Sequence, residues 1–305
     1  MSRAYRLLSA GRAETVDVPR PEPGPDEVLL RVLAAGVCRT DLALLRGGGA
    51  DGVTLPVTLG HEVVGEVVAL GEGLSAPQRG AAIAVYELLG CGGCSACSRG
   101  EDNVCRDVVP GAIGITRDGG MADHVVVPAR SLVAVGDVDP VHAAPLTDAG
   151  MTALHAVERG RALLEPGEVA VVVGIGGLGH LAVQLLRATS ELRVLAVDVD
   201  SARLDIGADD GIAAGPGAAE DVLAANAGRK VDAVFDFVGT QESLDLAAEV
   251  TSAAADRHHG RRRRPAVDRR ADGSRHVAVH DLAAAGRVLA DLDAGKVLGR
   301  AVLVP

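Results

Sequence analysis

The stretch Val169–Gly179, VAVVVGIGGLG, decides the fold of the second half of the chain. Its first five residues form a continuous apolar run, which is typical of a parallel strand buried on both faces. An apolar helix is expected over His180–Ala188, and a second strand over Arg193–Val197. This order of strand, glycine-rich turn, helix and strand predicts a βαβ unit.

The glycines of this stretch are spaced as in a dinucleotide-binding turn. They stand at Gly174, Gly176, Gly177 and Gly179, and the second strand ends at Asp198. Such glycines let the backbone approach a pyrophosphate at the helix N-terminus. Asp198 would accept hydrogen bonds from the adenosine ribose hydroxyls and repel a 2′-phosphate, which favours NAD over NADP. The alternative is a tight strand–helix turn followed by a surface aspartate.

Composition excludes several classes of function. The chain has 305 residues, enough for two domains, and a net charge of −11, which argues against nucleic acid as a partner. No segment reaches the roughly 18–20 consecutive apolar residues of a membrane span. Met1–Ala10 has two arginines and no long apolar run, so it does not resemble a secretory signal. A cytoplasmic protein is expected.

The first 145 residues or so predict a domain of short strands joined by Gly/Pro turns. Tyr5–Ser9 and Glu14–Val18 suggest a hairpin, Glu27–Ala34 and Val63–Leu70 are further strands, and Cys38–Arg46 suggests one short helix.

Four of the five cysteines lie close together in this domain. The spacing is C-x2-C-x2-C-x7-C, formed by Cys91, Cys94, Cys97 and Cys105. Four thiolates in one small lobe favour a closed, tetrahedral structural zinc site. The alternatives are an iron–sulfur cluster, which uses related spacings, and free thiols in a loop.

Two earlier turns contain candidate ligands for a second metal. GVCRTDL at Gly36–Leu42 contains Cys38, and GHEVVG at Gly60–Gly65 contains His61 beside Glu62. A thiolate, an imidazole and nearby carboxylates suit a zinc ion with an open coordination position. Taken singly, a histidine or a cysteine is more often an ordinary packed residue. Asp148, within PLTDAGMTALHAV, is either a further ligand or a carboxylate at a helix N-terminus.

Together these motifs resemble the zinc-dependent, medium-chain alcohol dehydrogenases. The resemblance covers the N-terminus to about Val250 and the last 25 residues or so. It implies an α/β plus β fold: a GroES-like catalytic domain over 1–145 with the zinc lobe at 91–105, and a Rossmann domain with a doubly wound parallel sheet over 146–280. Residues 281–305 would complete the fold with a helix, Leu282–Asp293, and a strand, Arg300–Val304.

The resemblance also implies the roles of the residues in the two turns. Cys38 and His61 correspond to catalytic zinc ligands, and Asp148 corresponds to the third, as in a subgroup that acts on secondary alcohols. Glu62 is expected near the metal, and Asp41 is expected to orient His61. The Thr40 hydroxyl would pass on the proton of the alcohol, and Ala43 stands where some relatives have a histidine that continues the relay.

The implied reaction oxidises a small or secondary alcohol to an aldehyde or ketone, with hydride transfer to NAD. One catalytic and one structural Zn²⁺ are expected per chain, and a homodimer or homotetramer is expected if the edge of the Rossmann sheet is intact. Oxidation of polyols is an alternative, because similar ligand motifs serve polyols. The cofactor-binding residues expected from the resemblance are Arg39, Gly174, Gly176, Gly177, Leu178, Gly179, Asp198, Arg203 and Val238.

One stretch departs from the family pattern. Ser252–His276 contains an Arg run and no strand pattern, where relatives are longer and continue the Rossmann sheet. Its interpretations are a basic nucleic-acid contact, a solvated disordered loop, and a frameshifted or truncated gene segment. The last two imply an incomplete sheet, so a second hypothesis is a catalytically impaired relative that still binds zinc and nucleotide.

Overall fold

The chain folds as two compact units. The structure, a computed structural model, describes residues 1–47, 53–108, 111–252 and 276–305. The first unit comprises Met1–Asp148 and His276–Pro305, and the second comprises Ala149–Arg275. The first unit therefore includes Asp148, three residues beyond the predicted boundary at 145. Apart from its two end residues, the Arg-rich stretch Ser252–His276 lies outside the described residues, and its interpretations stay open.

The first unit is built around the long strand β3, Glu27–Val37. Its sequence, EVLLRVLAAGV, is almost entirely apolar, and most of its side chains are buried. It pairs antiparallel with β5, Glu62–Leu70, with β9, His124–Pro128, and with β16, Arg300–Val304. The outer strands of this sheet are β6, Ala82–Val85, β10, Leu132–Ala134, and β15, Val277–Asp281.

The end of the chain thus belongs to the first unit. β16 lies beside β3, and β15 pairs parallel to β16. The sequence did not predict β15, which follows the Arg-rich stretch directly. Between β15 and β16, the chain makes a 3-10 turn at Leu282–Ala284 and the helix α7, Ala285–Asp293. Because β16 contributes a central strand, the C-terminal residues are part of this unit's core.

Shorter elements surround this sheet. The expected hairpin forms from β1, Ser2–Ser9, and β2, Arg12–Val18, and the predicted short helix is α1, Arg39–Leu45. The remaining elements of the first unit are β4, Val57–Thr58, β7, Leu88–Leu89, β8, Gly111–Ala112, and α2, Pro140–Ala143.

The second unit contains a parallel sheet of four strands in its described residues, in the order β13-β12-β11-β14. β11, Val169–Val173, is buried along its whole length, as the apolar run predicts. The other strands are β12, Arg193–Asp198, β13, Asp210–Ala213, and β14, Ala233–Asp236. The helices are α3, Ala149–Arg161, α4, Gly179–Thr189, α5, Ala218–Ala225, and α6, Gln241–Val250. Among the described residues of the chain, no helix has the length and apolar character needed to cross a membrane.

Candidate active site

The two ligand-bearing turns meet because β3 and β5 are neighbours in the sheet. Gly36, near the end of β3, pairs with Glu62, the first residue of β5. Cys38 follows β3, and His61 precedes β5, so both side chains stand at the same edge. A Cβ atom at Gly36 would lie 1.9 Å from Glu62 Oε2, so only glycine fits there. The close approach of the two backbones is what brings the turns together.

Asp148 completes the cluster. Its Oδ2 atom lies 3.6 Å from Cys38 Sγ and 3.2 Å from His61 Nε2. One donor atom from each of Cys38, His61, Glu62 and Asp148 lies within 4.8 Å of all the others. Cys38 and His61 are buried, whereas the Asp148 side chain is 22% exposed. The backbone at Asp148 is not helical and separates a 3-10 turn from α3, so this carboxylate faces the cluster from a third part of the chain.

The donor set fits a zinc ion. Ligands about 2.0–2.3 Å from a tetrahedral zinc stand about 3.3–3.8 Å from one another, close to the spacing of the Cys38, His61 and Asp148 atoms. Both ring nitrogens of His61 are buried, and each faces a carboxylate oxygen: Nε2 lies 3.2 Å from Asp148 Oδ2 and Nδ1 lies 3.5 Å from Asp41 Oδ1. Burial acts to lower the pKa of His61, but the carboxylates of Asp41 and Asp148 offset this and raise it well above its ordinary value. This negative environment favours a bound cation.

Asp41 ties the two turns together. Its Oδ2 atom accepts a hydrogen bond from Cys38 N at 2.9 Å, and its Oδ1 atom accepts one from Gly60 N at 3.4 Å. The same Oδ1 atom lies 3.5 Å from His61 Nδ1, the nitrogen facing away from Asp148. This is the arrangement by which an outer carboxylate fixes the orientation of a metal-binding histidine.

Thr40 and Arg39 lie in the first turn of α1, directly after Cys38. The Thr40 hydroxyl is 3.7 Å from Cys38 Sγ, at the edge of the cluster, and the residue is half-buried. Arg39 is exposed. Thr40 thus lies at the edge of the cluster, and both its predicted catalytic role and the predicted contact of Arg39 with the cofactor stay predictions.

The four-cysteine lobe forms a second, separate cluster. The Sγ atoms of Cys91 and Cys97 are 3.9 Å apart, as are those of Cys94 and Cys105, and no two of the cysteines are joined by a disulfide. These distances are close to the roughly 3.8 Å expected between thiolates around one zinc. A hydrogen bond from the backbone at Cys97 helps to lower the pKa of Cys94 to about 6, whereas burial raises the pKa of Cys97 to about 12.

In the second unit, the glycine-rich turn has the close contacts that a dinucleotide site requires. A Cβ atom at Gly179 would lie 1.9 Å from Gly174 O, so the helix α4 can start this close to β11 only with glycine. Asp198, at the end of β12, is buried, and its Oδ2 atom accepts a hydrogen bond from Ile175 N at 2.6 Å. Its Oδ1 atom accepts one from Asp200 N at 2.9 Å. The carboxylate is thus fixed against the turn, which limits the lone pairs left for a ribose.

A cavity of about 840 Å³ adjoins this turn and is lined in part by Gly174, Asp198 and Val238. A Cβ atom at Gly176 would lie 3.7 Å from the Arg203 guanidinium, so a positive charge stands beside the backbone of the turn. Leu178 directly precedes α4. The predicted cofactor residues of the second unit are therefore neighbours, and their arrangement fits an anionic dinucleotide.

Several known proteins are similar to this chain in sequence and in fold. The model of the alcohol dehydrogenase GroES-like domain matches residues 24–137. An NAD-dependent alcohol dehydrogenase of Sulfurisphaera tokodaii is 34% identical over 259 residues, which are 80% of this chain and 74% of that protein. The alcohol dehydrogenase of Aeropyrum pernix has 33% identity and a TM-score of 0.84, with 99% of this chain and 100% of that chain covered. A cobalt- and zinc-bound alcohol dehydrogenase of Pyrobaculum aerophilum has 30% identity and a TM-score of 0.81, with 100% and 99% covered.

The chain belongs to the zinc-type medium-chain alcohol dehydrogenase family. The predicted fold class, family and oxidoreductase class are therefore confirmed, and the predicted zinc and NAD cofactors agree with membership of this family.

Two buried charged residues of this alcohol dehydrogenase site were not predicted from the sequence. The first is Arg300, which donates a hydrogen bond to Glu62 Oε2 within a buried ion pair. Burial raises the pKa of Glu62 despite the opposing charge of Arg300. The only signal in the sequence is one arginine at the start of an otherwise apolar terminal strand, RAVLV. Glu62 is thus both a member of the metal cluster and the partner of a cation.

The second is Glu87, which follows β6. It is only 6% exposed, and its Oε2 atom accepts no hydrogen bond from any described residue. Burial, with a contribution from the negative charge of Asp148, raises the pKa of Glu87 to about 7. The sequence signal is a single acidic residue in the stretch AVYELLG.

Proposed function

We propose that this chain oxidises a small or secondary alcohol to a ketone or aldehyde and transfers hydride to NAD. The balanced reaction converts R₂CHOH and NAD⁺ into R₂C=O, NADH and a proton. The observation that supports it most is the convergence of Cys38, His61 and Asp148, with Thr40 at the edge of their cluster. One zinc would be held there and a second by the four cysteines.

Zinc bound by Cys38, His61 and Asp148 would supply a Lewis acid that lowers the pKa of the alcohol oxygen. Each residue of the chain then has a defined task. Asp41 holds the His61 ring in orientation through Nδ1. The Thr40 hydroxyl accepts the proton of the alcohol and passes its own proton outward. Since Ala43 offers no imidazole, the proton would pass from Thr40 to water, and a bound NAD would supply a ribose hydroxyl for the same relay.

NAD would occupy the cavity of the second unit. The pyrophosphate would lie at the glycine-rich turn near Arg203, where backbone N–H groups and a guanidinium favour negative charge. Asp198 would lie at the adenosine ribose, and its negative charge disfavours the additional 2′-phosphate of NADP.

The test is direct. Purified protein is analysed for zinc and assayed for NADH formation with ethanol, 2-propanol and 2-butanol, using NAD and NADP in parallel. We expect two zincs per chain and turnover that is faster with NAD. If both zincs are present and NAD binds but no alcohol yields NADH, the chain is the catalytically impaired relative and the proposal fails.

Polyol oxidation is a second candidate, favoured by the Glu87 carboxyl oxygen that accepts no hydrogen bond from a described residue. The same assay with sorbitol and glycerol compares the two substrate classes. We further propose a cytoplasmic enzyme, in keeping with a cysteine spacing that favours metal ligation over disulfides. A homodimer or homotetramer is proposed if the edge of the Rossmann sheet is intact. Size-exclusion chromatography with light scattering checks the assembly.

A further inference from the structure

Glu87 lies next to the metal cluster because of how β6 pairs with β5. The two strands are antiparallel, with Ala84 opposite Val64 and Ile83 opposite Gly65. Continuing this register by three residues places Glu87 opposite His61. β6 therefore delivers Glu87 to the edge of the sheet at which the zinc ligands stand.

A second connection gives the same placement. The backbone carbonyl of Glu87 accepts a hydrogen bond from Ile113 N at 3.0 Å. The next residue, Gly114, packs so closely on the His61 turn that a Cβ atom there would lie 2.7 Å from His61 N. The Glu87 backbone is thus held beside His61 from two sides of the fold.

The carboxyl group of Glu87 differs from the other buried carboxylates of this site. Asp41 accepts hydrogen bonds from backbone N–H groups, and Glu62 is paired with Arg300. Glu87 Oε2 is buried and accepts no hydrogen bond from the part of the chain that the structure describes. An unsatisfied buried acceptor of this kind costs about 1–3 kcal/mol. Such a cost points to a partner that the chain itself does not supply.

Glu87 is also distinct from the ligand set. The group of donor atoms that lie within 4.8 Å of one another contains Cys38, His61, Glu62 and Asp148, but not Glu87. The charged groups that act on it nevertheless all belong to this set: Asp148, His61 and Glu62. Glu87 therefore lies beside the expected metal position and is not one of its ligands. The part of a bound substrate that does not contact the metal would extend toward Glu87.

We propose that the Glu87 carboxyl group accepts a hydrogen bond from a second donor on the substrate, a hydroxyl or ammonium group close to the reacting carbinol. Glu87 is then a specificity-determining residue, and the preferred substrates are alcohols of the diol or amino-alcohol type rather than plain hydrocarbon alcohols. This inference rests on the proposed alcohol oxidation.

The expected selectivity follows from the chemistry of the carboxyl group. A hydroxyl can donate to it whether or not it is protonated, so preference for a diol does not depend on its ionisation. An ammonium group requires the carboxylate form. A hydrogen bond to a charged group contributes enough for a preference of about 10-fold to 100-fold, whereas a hydrocarbon alcohol leaves the buried acceptor unsatisfied.

The experiment uses three substrates that share one reacting carbon: 2-propanol, 1,2-propanediol and 1-amino-2-propanol. The zinc-loaded, full-length enzyme is compared with Glu87→Gln, Glu87→Leu and the control Glu72→Leu, which changes an exposed glutamate. The readouts are kcat/KM at C2, zinc content, and the shift in Tm caused by each compound in the presence of NADH.

We expect the wild type and the control to prefer 1,2-propanediol over 2-propanol by about 10-fold or more. Glu87→Leu should remove this preference and retain both zincs, whereas the control Glu72→Leu should keep the preference and a 2-propanol rate within about 3-fold of the wild type. Glu87→Gln should keep the hydroxyl preference, because an amide oxygen also accepts, but lose preference for the ammonium compound. Glu87→Gln also provides the test should the leucine variant not fold.

Equal diol preference in the wild type and Glu87→Leu overturns the inference and leaves alcohol oxidation intact. Loss of one zinc in Glu87→Leu also overturns it, since Glu87 would then be a metal ligand. If no alcohol is oxidised at all, alcohol oxidation fails, and the Tm shifts decide on Glu87 separately. Stabilisation by 1,2-propanediol in the wild type but not in Glu87→Leu supports the Glu87 contact, and equal stabilisation contradicts it.

Discussion

The two metal clusters of this chain are built in opposite ways. The four-cysteine lobe takes all its ligands from one stretch, Cys91–Cys105, and two of them are only half-buried. The catalytic cluster takes Cys38, His61 and Asp148 from three separate segments, and β3 and β5 hold two of these segments together. The lobe is therefore expected to depend on a bound metal for its order, whereas the proposed catalytic cluster is positioned by the packed core of its unit.

The largest expected effect is on the catalytic cluster. Replacing one ligand, as in Cys38→Ser, His61→Ala or Asp148→Ala, should lower turnover by roughly 10³-fold or more, because several kcal/mol of stabilisation at the developing charge are lost. NAD binding, measured by calorimetry, should persist, since the glycine-rich turn belongs to the other unit. Wild-type turnover in Asp148→Ala would remove that residue from the ligand set.

The buried ion pair of Arg300 and Glu62 tests how far the core supports this cluster. Arg300→Met leaves a buried carboxylate without its cation and should lower the free energy of unfolding by about 3–5 kcal/mol. The matched control is Arg46→Met, which breaks an exposed ion pair with Asp293 and should cost about 0–1 kcal/mol. Urea denaturation measures both. If both variants lose a similarly small free energy of unfolding, the buried ion pair of Arg300 stabilises the fold no more than an exposed one.

Disrupting the lobe should have a more local effect. Cys97→Ser should lose the structural zinc and unfold the lobe locally, because the lobe has little apolar core of its own. Trypsin should then cleave at Arg99 and Arg106, which are exposed but lie in a folded backbone in the wild type. Limited proteolysis with mass spectrometry locates the cleavage. The wild type, digested in the same way, is the reference. Retention of the lobe's zinc, or cleavage spread over the whole unit, would show that the lobe is not an independent local structure.

The smallest expected effect concerns cofactor choice. Asp198→Ala should reduce the preference for NAD over NADP by about 10-fold, because a charge that repels the 2′-phosphate is removed. The ratio of kcat/KM values for the two cofactors measures it, and Asp205→Ala, which changes a nearby exposed acid, is the control. An unchanged ratio in Asp198→Ala would mean that its hydrogen bonds to Ile175 N and Asp200 N are its whole role.

The sequence predicted what is local and missed what the fold brings together. The cysteine spacing was enough to propose the lobe, and the glycine turn after VAVVV was enough to propose the βαβ unit. Arg300 and Glu62 are 238 positions apart, and only the pairing of β16 with β3 makes them neighbours. Glu87 reaches His61 through strand register, which no local pattern reveals. Asp198 was expected at a ribose, and its hydrogen bond to Ile175 N became visible only in the structure.

Zinc stoichiometry of the wild type and Asp148→Ala is the most direct test of two independent metal sites. Both proteins are purified with zinc, dialysed and analysed by inductively coupled plasma mass spectrometry against protein concentration. We expect two zincs per chain in the wild type and one in Asp148→Ala, with the remaining zinc resistant to mild chelation because four thiolates hold it. Two firmly bound zincs in Asp148→Ala, or a single zinc in the wild type, would contradict the catalytic site described for Cys38, His61 and Asp148.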